Sequence, residues 1–85
     1  MATTMKRVTP RILQIDSNTQ IQPDKFSGWL AINTGTAQAT VNGYPLAPTE
    51  GLDFTSIDPN CIWGSPITIA LQTGASVRIT LLQYN

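Results

Sequence analysis

The chain has 85 residues, with five basic and five acidic side chains, no histidine and one cysteine. A chain of that length forms one small domain, which buries about two-thirds of its unfolded surface and gains readily from self-association. Zero net charge and sparse basic residues exclude a nucleic-acid footprint; the lone cysteine excludes an internal disulfide and, without histidine, any zinc or haem ligand set, so no cofactor is expected.

Residues 1–10 combine threonine, Lys6, Arg7 and Pro10 without periodicity, and are expected to form a flexible or partner-ordered N-terminal arm ahead of a single domain spanning 11–85. Lys6, Arg7 and Arg11 are three of the five basic residues and precede every acid, so the arm is a candidate for docking on a neighbouring subunit. No apolar stretch follows these bases, and no apolar run is long enough to span a bilayer. Neither a secretory signal nor a membrane partner is expected. The unpaired Cys61 fits a cytosolic protein, or a particle assembled in the cytosol.

Arg11 to Ile15 predicts a first strand, with Leu13 and Ile15 on one face and Ile12 and Gln14 on the other. Asp16-Ser17-Asn18 ends it, and Pro23-Asp24 predicts another turn. From Gly28 to Leu46 the pattern is clearest. Residues Thr36 to Val41 alternate polar and apolar, the period of a half-buried strand. Asn42-Gly43 follows, the dipeptide best suited to a type I′ hairpin turn. That turn pairs Val41 with Tyr44, Thr40 with Pro45 and Ala39 with Leu46. A second hairpin around Thr34-Gly35 would pair Ile32 with Ala37, Leu30 with Ala39 and Trp29 with Thr40. Opposed residues share a face. Leu30, Ile32, Ala37, Ala39, Val41, Tyr44 and Leu46 are therefore expected inside, and Trp29, Ala31, Gln38, Thr40 and Pro45 outside.

After the 47–51 loop, Leu52 to Ile57 alternates with Leu52 and Phe54 inward. Asp58-Pro59-Asn60 breaks the chain, and Cys61-Ile62-Trp63 predicts a short strand. Ile67, Ile69 and Leu71, then Val77, Ile79 and Leu81, predict a closing hairpin about Thr73-Gly74-Ala75, pairing Leu71 with Val77 and Ile69 with Ile79. Breakers recur at the 8–12-residue spacing of all-β folds. The expectation is a small antiparallel β-sandwich or jelly-roll-like barrel of about seven or eight short strands with an extended N-terminal arm.

Catalysis has little to work with. Asp16, Asp24 and Asp58 sit in turn sequences, where aspartate caps its own backbone. Glu50 lies in a loop, and Asp53 points outward between Leu52 and Phe54. Cys61 has no base beside it and reads as a small buried hydrophobe. The glycines fall one per turn and form no phosphate-binding cluster. No enzyme is expected, and a cupin-like metal enzyme lacks its histidines. Because only 12% of residues are charged, about half the usual share, the Thr-, Gln- and Asn-rich surface suits packing against protein. Trp29, with Thr40 and Pro45 on one outer face, is the candidate interface anchor.

The succession Ile32-Asn33-Thr34-Gly35, Val41-Asn42-Gly43, Leu46-Ala47-Pro48-Thr49-Glu50-Gly51-Leu52-Asp53-Phe54 and Pro66-Ile67-Thr68-Ile69 resembles small all-β virion structural proteins of tailed bacteriophages. The resemblance implies a non-enzymatic protein that decorates or cements a capsid through subunit–subunit contacts, found in the virion, with homo-oligomers and other capsid or virion proteins as partners. The alternative is a carbohydrate- or receptor-binding β-sandwich using Trp29, Trp63 or Tyr84 as stacking platforms.

Overall fold

The computed structural model describes residues 8–23, 25–55 and 61–84. Among the described residues eight strands form: β1 (Val8–Ile15), β2 (Thr19–Ile21), β3 (Phe26–Asn33), β4 (Ala39–Val41), β5 (Tyr44–Leu46), β6 (Gly51–Asp53), β7 (Ile67–Leu71) and β8 (Val77–Tyr84). They make two four-stranded antiparallel sheets, ordered β1-β8-β3-β6 and β2-β7-β4-β5. Every connection except β4–β5 crosses from one sheet to the other. That is the connectivity of a double-sheet jelly roll.

The alternating patterns fill the space between the sheets. Ile67 and Ile69 of β7, with Ala39 and Val41 of β4, face Val77, Ile79 and Leu81 of β8 and Trp29 and Ala31 of β3, and all are buried. Leu13 and Ile15 pack against this core from β1 while Ile12 points away, as their alternation predicts. The Asn42-Gly43 hairpin forms in the expected register, with left-handed φ of 50° and 84° at its two turn residues. A bulge between Phe26 and Gly28 re-aims Phe26 into the core, where plain alternation would leave it on the outer side with Gly28 and Leu30.

Two expected hairpins do not form. β3 and β4 lie in opposite sheets, as do β7 and β8. The physical reason is that the two loops satisfy each other. Thr34 N donates to Ser76 O at 2.7 Å and Thr36 N to Gly74 O at 2.9 Å, so both segments run side by side across the end of the sandwich.

Placing β3 beside β8 also reverses its expected faces. Trp29 pairs with Leu81 and Ala31 with Ile79, both inward, while Leu30 and Ile32 point outward. Tyr44, expected inside, is exposed because its strand lies at the sheet edge. The 61–63 segment is not a strand: Trp63 N donates to Phe26 O at 2.8 Å, and Cys61, expected buried, is exposed. Thr19–Ile21 forms an unexpected strand on β7, and Val8 to Pro10, expected in the arm, pair with β8. Met1 to Arg7, Asp24 and the turn at 58–60 lie outside the described residues.

Candidate interaction surface

The outer face of the β1-β8-β3-β6 sheet can be read row by row from its register. Pro10 lies beside Leu82 and Gly28; Ile12 beside Thr80, Leu30 and Asp53; Gln14 beside Arg78, Ile32 and Gly51. Val8 and Ile12 stand well into solvent, 46% and 63% exposed, and Leu30, Ile32 and Leu82 are half-buried. Six apolar side chains (Val8, Pro10, Ile12, Leu30, Ile32 and Leu82) thus share one face, whose strand residues include only two charges, Arg78 and Asp53. Thr80 and Arg78 of the central β8 lie between the β1 residues and Leu30 and Ile32, and a face so rich in apolar side chains with so few charges is the form of an interaction surface.

The opposite face contrasts with it. Gln20, Thr68, Thr40, Ala70 and Pro45 line the outer side of the β2-β7-β4-β5 sheet. Their polar groups bond among themselves: Gln20 Nε2 donates to Thr68 Oγ1 at 3.2 Å, and Gln22 Nε2 to Gln20 Oε1 at 2.9 Å. Such a surface is at ease in water.

The sequence-derived interface residues are therefore dispersed. Thr40 and Pro45 are cross-strand neighbours on the polar face, but Trp29 belongs to the other sheet and is fully buried. Arg11 is exposed on the β1 edge and pairs with Leu81, so it sits on the core-side rows of its strand. Lys6 and Arg7 lie outside the described residues. The sequence reading missed Ile12, Leu30, Ile32 and Leu82 as a surface. Their signal was present in Leu30-Ala31-Ile32 and Leu81-Leu82, where consecutive apolar residues interrupt alternation and so coat both faces of a strand.

Trp29 packs with Phe54 and Trp63, with ring centroids 4.9 and 5.5 Å away, the two indoles edge to face. Both indole N–H groups are buried without a hydrogen-bond partner among the described residues. Aromatic packing there has to outweigh an unmet donor cost of about 1–3 kcal/mol each. Trp29 has no open ring face on which a sugar could stack.

Of the described carboxylates, Glu50 and Asp53 cap nearby backbone amides, while Asp16 bonds a distant side-chain hydroxyl instead of capping its own turn as expected. Glu50 Oε1 accepts from Ala47 N at 2.7 Å, Asp16 Oδ1 accepts from Ser76 Oγ at 2.7 Å, and Asp53 Oδ1 accepts from the hydroxyl and amide of Thr55. The Thr55 hydroxyl first, then its amide, holds the Asp53 carboxyl below its ordinary value of 3.8. No cluster of three or more metal-ligating side chains occurs among the described residues. Compared with family models, curated proteins and solved structures, the chain has no significant match.

Proposed function

We propose that this is a non-enzymatic structural protein that works by assembly, decorating or cementing the capsid of a tailed-phage virion through subunit contacts. The observation that carries the assembly reading is the apolar outer face of the β1-β8-β3-β6 sheet. An isolated chain leaves Val8 and Ile12 in water on the same face as half-buried Leu30, Ile32 and Leu82, and covering them with protein is favourable at about 25 cal/mol per Å². The double-sheet jelly roll is an architecture used by viral capsid domains, which supports the virion assignment by analogy of fold. The phage-like succession of turn motifs from Ile32 to Ile69 supports it independently.

The test is mass spectrometry of purified virions of the encoding phage, with the chain quantified against the major capsid subunit. Copy numbers in simple proportion to capsomers are expected. Absence from washed virions would sink the proposal.

A further inference from the structure

We propose, resting on the assembly reading above, that the outer face of the β1-β8-β3-β6 sheet is a two-fold interface for a second copy of this chain, packed sheet against sheet. The first ground is its charge pattern. Arg78 flanks Ile32 from β8, and Asp53 flanks Leu30 from β6, so the two opposite charges stand diagonally across the centre of β3. A two-fold axis lying in the interface, passing between Leu30 and Ile32 at right angles to that diagonal, sets Arg78 of each copy over Asp53 of the other. Leu30 and Ile32 then meet their own counterparts at the centre. Standard strand and residue spacings make the diagonal about 12 Å and the crossing of the two sheets about 70°, toward the orthogonal class of sheet packing.

The second ground is that strand addition is discouraged at the sheet edges. β1 carries Pro10, which has no amide proton, and Arg11 on its core-side rows. β5 carries Pro45, and β2 and β6 are only three residues long. Prolines, inward charges and short strands are the devices that keep edges from pairing. A self-complementary face is the isologous geometry of two-fold dimers.

The test is sedimentation equilibrium of the purified full-length chain over a concentration series, with circular dichroism confirming that each variant is folded. A wild-type dimer is expected. Arg78→Asp and Asp53→Arg each leave like charges opposed and are expected to raise the dissociation constant at least about tenfold. An equimolar mixture of these two variants is expected to recover the dimer, because the acidic pair on one chain then meets the basic pair on the other. Ile12→Asp, at a solvent-exposed position that folding tolerates, is expected to weaken every combination. A wild-type chain that stays monomeric, a dimer indifferent to both reversals, or a mixture that fails to recover each overturns the interface. A monomer that is nonetheless recovered from virions overturns only the interface; a dimer absent from virions overturns only the assembly role.

Discussion

Asn33 ends β3 with its side chain fully enclosed, donating from Nδ2 to the carbonyls of Ala37 and Leu46 at 2.8 and 2.9 Å and accepting from the Gly35 amide at 2.9 Å. One amide group thus satisfies three backbone groups where the chain leaves one sheet for the other. Asn33→Ala would strand all three, and a loss of about 2–4 kcal/mol is expected in urea denaturation. Asn33→Asp keeps the shape but cannot donate to two carbonyls when ionised, so it should be at least as damaging at neutral pH. Asp53 illustrates a milder effect. Its carboxyl is held below the ordinary 3.8 by Thr55, so the bonded carboxylate contributes stability that is present above that value and is lost as pH falls through the lower folded pKa. The stability gap between wild type and Asp53→Asn should therefore close on acidification below 3.8. A gap independent of pH would show that the Thr55 contact is indifferent to charge.

At the scale of elements, two glycines in turn sequences serve different ends. Gly43 has φ of 84° and open space around the position of a Cβ, so Gly43→Ala adds only backbone strain, about 1–2 kcal/mol. Gly35 has no need of a left-handed conformation, yet a Cβ there would overlap Gly74 O and lie 2.5 Å from Ser76 N, both backbone atoms. Gly35→Ala should cost clearly more, about 3 kcal/mol or above, because neither crossing loop can move without breaking its bonds to the other. Thermal denaturation of the two variants side by side checks the order; equal losses would mean the loops separate freely. From sequence alone the two positions look alike, since both read as turn glycines. Only the loop-to-loop contact separates them.

For the whole molecule, stability rests on one core closed at one end by Trp29, Phe54 and Trp63. Trp29→Ala should cost about 3–5 kcal/mol, a large share of the roughly 5–15 kcal/mol typical of such domains. Guanidinium denaturation should show a sharply lowered midpoint, with a smaller loss for Trp63→Ala, whose ring is partly exposed. Equal losses would show that the two indoles contribute as one unit. These losses are independent of the proposed interface, because Trp29 lies wholly inside the sandwich.

The order of most strands, the inward faces of β4, β7 and β8 and the Asn42-Gly43 register were legible in the chain itself. Each depends on neighbours a few residues apart, through alternation or a favoured turn dipeptide, whereas Asp16, expected to cap its own turn, instead accepts from the distant Ser76 hydroxyl. Partnership of strands was not legible. A period of two says which residues share a face but not which strand lies beside them, and two turn sequences that favour hairpins locally instead bond to each other. Nor could alternation orient β3, where Trp29 and Ala31 compete with Leu30 and Ile32 for the core. Pairing with β8 and the need to fill the sandwich with the larger indole settled that choice, and the same choice turned Leu30 and Ile32 outward to form the apolar surface.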